Sequence, residues 1–306
     1  MNGAPKVSVI IPVHNRAQDL AECLDSLARQ TYPKDKFEVI VVDNDSTDAS
    51  AQTAHERGAT VVAEPRRGAA HARNRGVAYA RNRSVAQSGG ALVAFTDSDC
   101  VAAADWLEKL AEPFTSDETL GFCGGAVEPY SLDTPLQRYI ADRGIMSQER
   151  FCQKERFSFP FFMTANAMFT RRALEAAGPF DEAVAPGEDA DLCWRAAWAG
   201  YRWQYIPQAV VRHKHRPSLA AFARQVRGYG VGSVNLFKKH RERFDCRWYL
   251  DQKHYGRMLR AAGRLALKGC FRPQEERLWM LYDVISYWSY ALGRVLGSLR
   301  NRVLFL

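Results

Sequence analysis

Apolar, β-branched segments alternate with segments of helical periodicity in the first hundred residues, and this alternation restricts the possible folds more than any other feature. Three segments without polar alternation, Val7–Val13, 37–42 and 91–96, predict strands that are covered on both faces. A shorter strand is predicted at Thr60–Ala63, and leucines at helical spacing predict a helix that ends near Gln30. Strands and helices in this order predict right-handed βαβ units and an α/β fold with a mainly parallel sheet.

Two acidic residues follow the strand predicted at 91–96. Asp97 and Asp99 come at its carboxyl end, where open α/β sheets bind their ligands. Two hard oxygen donors at that place suit Mg²⁺ or Mn²⁺ carrying a diphosphate. Asp and Ser are also common cap residues, so the Asp-Ser-Asp segment is explained equally well as the cap of a helix that begins near Ala104. The segment by itself leaves both interpretations open.

A second acidic segment, Asp43 to Asp48, follows the strand predicted at 37–42. Asp48 is predicted to cap a helix that ends at Gly58, a natural C′ residue, whereas helix capping does not account for Asp43. Asn15 follows the first strand and is predicted as the N-cap of the first helix, with Gln18 in capping-box register.

The regular alternation ends after a helix predicted at 104–114, and the polar stretch 131–158 is left unassigned. Further elements are predicted in this order: a strand at 121–127, a strand at 161–169, a short helix at Arg171–Ala177 and a strand at 201–206. A helix that begins after Gly187 has acidic residues in its first turn. Acids at that end also interact favourably with the helix macrodipole, so they have a structural explanation as well as a catalytic one.

Positive charge is concentrated in the last third of the chain. The net charge is +8, but residues 201–306 contain 21 Lys and Arg against 6 Asp and Glu, a net charge of +15. This asymmetry indicates an anionic partner, either nucleic acid or a membrane surface. The aromatic residues of this part lie in an apolar segment and not among the basic residues, which favours a membrane over nucleic acid.

The last segment, 278–306, has apolar residues at i, i+3, i+4 spacing and predicts a long amphipathic helix. Asp283 and Arg294 interrupt every stretch long enough to span a bilayer. The helix is therefore predicted to lie in the membrane interface or in a homodimer contact. Packing on the protein's own core is an equally good interpretation of the same stripe.

The cysteines indicate a reducing compartment. The seven cysteines include no Cys-x-x-Cys pair, so neither a disulfide framework nor a structural zinc site is predicted. No basic and apolar leader precedes Val7, and no secretory signal is recognised. The expected location is the cytoplasm, with peripheral attachment to the inner face of the cell membrane.

Five motifs can now be taken together as an ordered set. They are Val-Ser-Val-Ile-Ile-Pro-Val-His-Asn, Val-Val-Asp43-Asn-Asp-Ser-Thr-Asp, Gly68-x4-Arg73-Asn74-x-Gly76, Phe-Thr-Asp97-Ser-Asp99 and Gly-Glu188-Asp189-x-Asp-Leu-x-x-Arg. The set closely resembles the family 2 glycosyltransferases with a GT-A fold, and the resemblance covers residues 7 to about 218. It implies a Rossmann-like, mainly parallel mixed sheet flanked by helices. The predicted domains are a GT-A domain at 1–217 and a basic helical region at 218–306.

The resemblance implies a nucleotide-sugar site at the carboxyl edge of the sheet. Pro12 and Asn15 would border the nucleotide, and Asp43 would accept a hydrogen bond from its base. Arg73 would approach the nucleotide or its diphosphate, and Asp97 would contact the ribose. Asn44-Asp45 departs from the Asp-Gly pair that is frequent at this motif, although Asp43 itself is retained.

The resemblance also implies a metal site and a general base. Asp99 would bind the divalent ion, Mn²⁺ or Mg²⁺, together with His213, whose spacing fits better than that of His215. Asp189 would be the general base, with Asp191 or Glu188 as alternatives.

The implied reaction is a single displacement that inverts the anomeric centre. A metal at the phosphates stabilises the charge that builds on the leaving group, and a carboxylate takes the proton of the attacking hydroxyl. The expected donor is a nucleotide sugar, UDP-linked for preference, and the expected acceptor is a glycan, a lipid-linked molecule or a peptide. The alternative is a non-catalytic binding or scaffold protein of the same fold that recruits partners through its basic tail.

Overall fold

The computed structural model describes residues 4–84, 92–153, 158–244, 246 and 248–306. The chain forms two compact units. The first comprises Met1–Tyr130, Met146–Ala183 and Glu188–Lys214, and the second comprises Ser131–Ile145, Val184–Gly187 and His215–Leu306. The longest segment of the second unit begins at His215. The division predicted from the sequence comes after residue 217.

The described residues form the following elements. The strands are β1 (Val7–Val13), β2 (Phe37–Asp43), β3 (Thr60–Ala63), β4 (Leu92–Thr96), β5 (Cys100–Ala102), β6 (Leu120–Pro129), β7 (Asn166–Thr170) and β8 (Arg202–His213). The helices are α1 (Ala17–Ala28), α2 (Ser50–Glu56), α3 (Ala69–Ser84), α4 (Trp106–Ala111), α5 (Pro135–Asp142), α6 (Gln148–Phe151), α7 (Arg171–Ala177), α8 (Glu188–Trp198), α9 (Leu219–His240), α10 (Gln252–Lys268) and α11 (Gln274–Asn301). All strands belong to the first unit, whereas α5, α9, α10 and α11 belong to the second.

The strands form one mixed sheet in the order β3-β2-β1-β4-β7-β6-β8-β5. β3, β2, β1 and β4 are parallel, as the βαβ alternation predicts, and β7 pairs with β4 in the antiparallel direction. Successive residues of β1 point to opposite faces, so Val9 and Ile11 pack with Leu20 of α1 while Ile10 packs with Ala72 of α3. Helices therefore cover both faces, which explains why these strands are apolar without alternation.

Glycine in the third motif allows a close approach of helix to sheet. A Cβ atom at Gly76 of α3 would lie 2.6 Å from a methyl group of Ile10 and 3.1 Å from one of Val42. The missing side chain thus lets α3 lie directly against β1 and β2. Arg73 is one turn earlier on the same helix, so this contact also sets how far the backbone of Arg73 lies from the sheet.

Most predicted elements of the first unit are found, with shifted ends. Val7–Val13, Thr60–Ala63 and Arg171–Ala177 are confirmed at both ends. The predicted helix at 104–114 is shorter, because α4 ends at Ala111 and a 3-10 turn with Pro113 follows. The strand predicted at 201–206 continues to His213. The predicted start of β4 at Ala91 lies outside the described residues.

The strand predicted at 161–169 is wrong in its first half, since β7 begins at Asn166. The backbone N–H of Phe162 donates to Sγ of Cys193, and that of Met163 donates to Oε1 of Gln148. Side chains thus take the place of a strand partner. Phe162 is buried in the core on one face of the sheet, which accounts for the apolar pattern.

The N-cap predicted at Asn15 is also wrong. α1 begins at Ala17, and the backbone N–H of Ala17 donates to Oδ2 of Asp48. Asp48 also accepts the backbone N–H of Ser50 at the start of α2, so one carboxylate serves the first turns of two helices. Gly58 follows α2 with a φ of +73°, as the C′ prediction requires.

The second unit has a tightly packed pair of helices, α9 and α11. Cβ atoms added at Gly230 or Gly293 would clash with the backbone carbonyls of Tyr290 and Arg227 respectively, so the two backbones meet at these glycines. α10 packs against α11, where Nε2 of His254 lies 3.2 Å from the carbonyl oxygen of Tyr287. The sequence interpretation missed α10 and also α5, although Thr134 and Gln137 form a capping box at the start of α5.

The two charges that interrupt the apolar segment of α11 are buried and paired within the second unit. Asp283 accepts hydrogen bonds from Tyr139 and Arg143 of the same unit at 3.0 Å. Arg294 donates to Asp251 at 3.2 Å. This side of α11 therefore packs on protein, as the core interpretation expects. In the described parts of the chain, each helix is too short or too polar to span a membrane.

Candidate active site

Three strand ends meet at one edge of the sheet, and two of them are followed by acidic loops. β1, β2 and β4 are parallel, so their carboxyl ends lie side by side. Val13 at the end of β1 is opposite Asp43 at the end of β2, and Asp97 directly follows β4. The predicted convergence of acidic residues at this edge is therefore present.

Two further strands complete this edge. β7 is antiparallel to β4 and contributes its amino end, where Asn166 pairs with Thr96. β8 contributes its carboxyl end, because His213 pairs with Cys100, the residue that follows Asp99. Pairing across the sheet thus carries a histidine from residue 213 to the acidic segment after β4.

Asp99, Cys100 and His213 form a buried group of possible metal ligands, with one ligand atom of each within 4.8 Å of the others. Nε2 of His213 lies 3.4 Å from Oδ1 of Asp99. Burial and the nearby carboxylates raise the pKa of the Cys100 thiol well above its ordinary value, so the carboxylate and the imidazole are the readier donors. One oxygen and one nitrogen donor fit a divalent ion. His213, not His215, is the histidine of this group.

The helix-cap interpretation of Asp97 and Asp99 does not agree with the structure. The N-cap residue of α4 is Asp105, and β5 lies between the two acids and that helix. Asp99 is instead buried beside His213 on one side and Arg16 on the other, where Nη1 of Arg16 lies 3.3 Å from Oδ2 of Asp99. The helix-cap interpretation is therefore wrong, and ligand binding by Asp97 and Asp99 stays a prediction.

Arg16 and Lys214 are cations that the sequence interpretation missed. Nη1 of Arg16 also lies 2.8 Å from Asp19, and Nζ of Lys214 lies 2.9 Å from both Asp19 and Glu22. The only sequence signal was their position, since Arg16 directly follows the first motif and Lys214 directly follows His213. Arg16 thus places its positive charge beside the Asp99 carboxylate, whereas Lys214 reaches Asp99 through its backbone N–H, which donates to the carbonyl oxygen of Asp99 at 2.9 Å.

Arg73 of α3 is buried among three carboxylates. Its Nη2 lies 3.0 Å from Asp97, and its Nη1 lies 3.1 Å from Glu188 and 3.4 Å from Asp189. Burial opposes its charge, but the carboxylates of Asp189, Asp97 and Glu188 together raise the pKa of Arg73 above its ordinary value. Arg73 thus joins the acid after β4 to the acids at the start of α8.

Asp189 is positioned by Thr164, which precedes β7. The Thr164 hydroxyl donates to Oδ1 of Asp189 at 2.9 Å, and its backbone N–H donates to Oδ2 at 3.3 Å. Burial raises the pKa of Asp189 to about 6, against the positive charge of Arg73, and the carboxylate of Glu188 acts in the same direction as burial. A carboxyl group with this pKa is ionised at neutral pH and is basic enough to accept a proton.

Asp191, the second choice for the base, is buried on another side of α8. Its carboxylate pairs with Arg195 one turn later, at 2.7 Å, and none of its surface is exposed. The Arg195 guanidinium also donates to the carbonyl oxygens of Ala177 and Pro179. This pairing anchors α8 to the loop after α7, and Asp191 is therefore withdrawn as a candidate base. Glu188, the other alternative base, lies 3.1 Å from Arg73 and stays a candidate.

Asn15 and Asp43 shape the loops at the ends of β1 and β2. Asn15 has a φ of +51°, and its side-chain oxygen accepts the backbone N–H of Thr47 at 2.7 Å. Oδ1 of Asp43 accepts the N–H of Ser46 at 3.2 Å. Pro12 lies opposite Val42 in the same pair of strands. The three predicted nucleotide contacts, Pro12, Asn15 and Asp43, therefore share two adjoining strand ends.

Asn44, where the sequence departs from the frequent Asp-Gly pair, has a structural role. Its amide nitrogen donates to the carbonyl oxygens of Glu64 and Arg66 at 2.9 and 2.7 Å, and its amide oxygen accepts the N–H of Gly68 at 2.7 Å. A buried side chain thus holds the loop before α3. An ionised aspartate at position 44, the first residue of the usual Asp-Gly pair, has no N–H group to donate to these two carbonyl oxygens.

Two buried polar residues near β7 were not among the predicted site residues, although their positions in the sequence are unusual. Thr164 and Asn166 interrupt the otherwise apolar stretch 161–169, and such residues need hydrogen-bond partners when buried. Nδ2 of Asn166 donates to the carbonyl oxygens of Ala126 and Ala209, and its Oδ1 accepts the indole N–H of Trp106. Thr164 serves the site, whereas Asn166 ties β6, β8 and α4 together at its edge.

The sequence profile described as Glycosyl transferase family 2 matches residues 8–178. The glycosyltransferase AglE of Haloferax volcanii is 31% identical over 241 residues, which cover 76% of this chain and 74% of that protein. The pre-mycofactocin glycosyltransferase of Mycobacterium tuberculosis is 31% identical over 244 residues, which cover 76% of this chain and 48% of that protein.

Solved structures are similar over most of the chain. A mannosyltransferase from Pyrobaculum calidifontis, in complex with GDP-Man and Mn²⁺, has a TM-score of 0.63 at 23% identity and covers 95% of this chain and 87% of its own. Glucosyl-3-phosphoglycerate synthase from M. tuberculosis, in complex with Mn²⁺, UDP-Glc and phosphoglyceric acid, has a TM-score of 0.50 at 20% identity and covers 77% and 80%. At these identities the likeness shows the fold, and the predicted GT-A fold is confirmed.

Proposed function

The chain belongs to glycosyl transferase family 2, and we propose that it is a metal-dependent, inverting enzyme. It transfers the sugar of a nucleoside-diphosphate sugar to an acceptor hydroxyl. One observation supports this most: Asp189, with its pKa raised to about 6, shares Arg73 with Asp97, two residues from the buried Asp99–His213 pair. A proton acceptor and ligands for a metal are thus joined through one cation at one edge of the sheet.

Asp99 and His213 would hold the metal, Mn²⁺ or Mg²⁺. A divalent ion there would supply positive charge to stabilise the leaving diphosphate. Arg16, 3.3 Å from Asp99, and Lys214 would add further positive charge beside the phosphates. Because this charge develops in the transition state, the cations stabilise that state more than the bound substrate.

Asp189 would take the proton of the acceptor hydroxyl. The two hydrogen bonds from Thr164 fix the orientation of its carboxylate, and Arg73 keeps the carboxylate in its charged form. A single attack on the anomeric carbon, with departure of the nucleoside diphosphate from the opposite face, inverts that centre. The proton moves to Asp189, and the negative charge leaves with the diphosphate.

Asp43 would recognise the nucleobase, with Pro12 and Asn15 at the border of the nucleotide and Asp97 at the ribose. Oδ1 of Asp43 is used by Ser46, and in the described part of the chain no hydrogen bond to Oδ2 is found. A ring N–H of uracil or guanine could donate to that oxygen. We favour a UDP-linked donor, as in the glucosyl synthase, although the mannosyltransferase is bound to GDP-Man.

For the acceptor we propose a glycan, a lipid-linked molecule or a peptide at the cytoplasmic face of the membrane. The division into a catalytic region, 1–217, and a basic helical region, 218–306, is part of the same proposal, as is a possible homodimer. The large positive charge of residues 201–306 supports an anionic surface or acceptor near the tail.

The test is release of nucleoside diphosphate from a panel of UDP-, GDP- and other nucleotide sugars by the purified full chain with Mn²⁺ or Mg²⁺. At least one donor should be bound and slowly hydrolysed, and the Asp189→Asn variant should bind that donor but turn it over at least about 10²-fold more slowly. Asp45→Asn is the matched control, because Asp45 lies in an acidic loop but pairs with Arg67 at the surface. A folded protein that neither binds nor hydrolyses any donor would contradict the proposal.

A further inference from the structure

α10 presents a row of basic side chains to solvent. The row consists of Lys253, Arg257, Arg260, Arg264 and Lys268, all of them exposed. Spacings of three and four residues place them on one stripe of the helix. No Asp or Glu occurs between residues 252 and 274, and in the described part of the chain none of the five side chains forms an ion pair. The stripe therefore carries uncompensated positive charge.

An apolar band lies beside this row on the same exposed side. Leu259 and Leu267 have 63% and 77% of their surface exposed, and Phe271 just after the helix has 87% exposed. Gly263 lies between the two leucines, and a Cβ atom there would meet nothing within 4 Å. Each leucine directly precedes a basic residue, and one residue is about 100° of helix rotation, so the two bands adjoin.

The opposite side of α10 fixes which residues face outward. His254, Met258 and Ala261 are buried, and His254 lies 3.2 Å from the carbonyl oxygen of Tyr287 on α11. The exposed leucines are therefore not core residues that could turn inward. Large side chains with this exposure, beside a row of like charges, indicate an interaction surface.

We propose that this surface, the α10 face (Leu259, Arg260, Arg264, Leu267, Lys268 and Phe271), binds an anionic lipid bilayer. The apolar side chains would enter the boundary between headgroups and acyl chains while the basic row meets the anionic headgroups. The proposal names the surface through which the transferase proposed above would bind a membrane, and its test does not depend on transferase activity.

Charge decides between a bilayer and the other possible occupants. Two copies of the chain meeting through this face about a twofold axis would place one basic row against the other, which is repulsive. A nucleic acid would match the charge but would leave the exposed leucines and Phe271 in water. An anionic bilayer matches both bands.

The test is flotation of the full chain with vesicles of phosphatidylcholine alone or with about one third phosphatidylglycerol. The chain should float with the anionic vesicles only, and added salt should weaken binding because it screens the basic row. Arg260→Gln with Arg264→Gln should reduce vesicle affinity about thirtyfold. Leu259→Ser with Leu267→Ser should reduce it about tenfold or more.

The matched control is Leu292→Ser with Leu299→Ser, two exposed leucines of α11 that lie outside the basic row. Its affinity should stay within about twofold of the unchanged chain. Donor hydrolysis and circular dichroism report the fold of every variant, so loss of flotation in an active enzyme is distinguished from failure of the proposed function. The proposal is overturned if the unchanged chain does not float, if the α11 control loses as much affinity, or if the α10 leucine variant loses none.

Discussion

The hydroxyl of Thr164 donates a hydrogen bond to Oδ1 of Asp189 at 2.9 Å, although 25 residues separate them in sequence. Thr164 immediately precedes Ala165 and β7, whereas Asp189 is in the first turn of α8. The orientation of the proposed base thus depends on the end of a strand in the central sheet. Because the hydrogen bond also stabilises the charged carboxylate, it helps to set the pH at which the base is available.

Replacement of the proposed base should remove catalysis without removing donor binding. Asp189→Asn keeps the size of the side chain but cannot accept the acceptor's proton, so kcat should fall about 10²- to 10⁴-fold. The dissociation constant of the nucleotide sugar should change little. Equilibrium binding and initial rates measure the two effects separately, with Asp45→Asn as the surface control. Unchanged kcat in the Asp189 variant would exclude this residue as the base.

Activity should decline as the pH falls through about 6, because protonation of Asp189 removes the proton acceptor. The Thr164 hydrogen bond lowers the pKa of Asp189, so Thr164→Val should raise that pKa and move the acidic limb of the kcat profile to higher pH. A pH–rate series on both proteins measures the shift. Thr164→Ser, which retains the hydroxyl, should restore the original limb. A role of Thr164 in folding alone would lower activity equally at every pH.

Loss of either proposed metal ligand should raise the metal concentration needed for activity. Removing a residue that hydrogen-bonds to a metal ligand costs about 10- to 100-fold in metal affinity, so loss of a proposed ligand itself in Asp99→Asn or His213→Gln should cost at least this. Titration of activity with Mn²⁺ and Mg²⁺ measures the effect. Cys100→Ser tests the third member of the buried group, and it should leave the metal requirement close to that of the unchanged enzyme. A larger effect at Cys100 than at His213 would reassign the ligands.

Asn44→Gly would remove the side chain that holds the loop before α3, and it should destabilise the protein. The three hydrogen bonds to Glu64, Arg66 and Gly68 would lose their partner, which costs about 1–3 kcal/mol of unfolding free energy where the groups stay buried. Urea denaturation of both proteins measures the difference. An equally stable variant would show that water replaces the amide without cost.

Two glycines should respond in opposite directions to replacement by alanine. At Gly293 of α11 a Cβ atom would clash with the carbonyl of Arg227, so Gly293→Ala should lower stability by about 1–3 kcal/mol. At Gly263 of α10 there is open space, so Gly263→Ala should raise stability by about 0.5–1 kcal/mol through helix propensity. Thermal unfolding followed by circular dichroism compares the pair. Unchanged stability in Gly293→Ala would contradict the contact described for α9 and α11, and a loss in Gly263→Ala would contradict the open space at that position.

The strands and their acidic ends could be predicted because the information is local. Val7–Val13 is apolar along its whole length, and the acids that follow 37–42 and β4 are adjacent in sequence to the strands that carry them. Parallel pairing then brings those ends together without further information. The helix cap predicted at Asn15 failed because a tertiary contact, the bond from Ala17 to Asp48, supplied what a local side chain was expected to supply.

The choice between Asp189 and Asp191 could not be made from sequence. Two residues apart on a helix, their side chains point in different directions, but the sequence does not say which direction faces the sheet edge. In the structure the two residues have different partners far away in the chain: Arg73 and Thr164 for Asp189, and Arg195 with the loop after α7 for Asp191. These partners support Asp189 as the proposed base. Arg16 was missed for the same reason, since its pairing with Asp99 spans most of the first hundred residues.

Because Gly76 packs closely on Ile10, the attraction between Arg73 and its three carboxylates depends on the size of the side chain at position 76. Arg73 precedes Gly76 by one helical turn, so the distance between α3 and the sheet also sets the distance between a guanidinium and three carboxylates. A single methyl group at position 76 would act as a spacer and weaken attractions that vary inversely with distance. We therefore expect the pKa of Asp189, which Arg73 lowers, to rise when a side chain without charge is added at position 76.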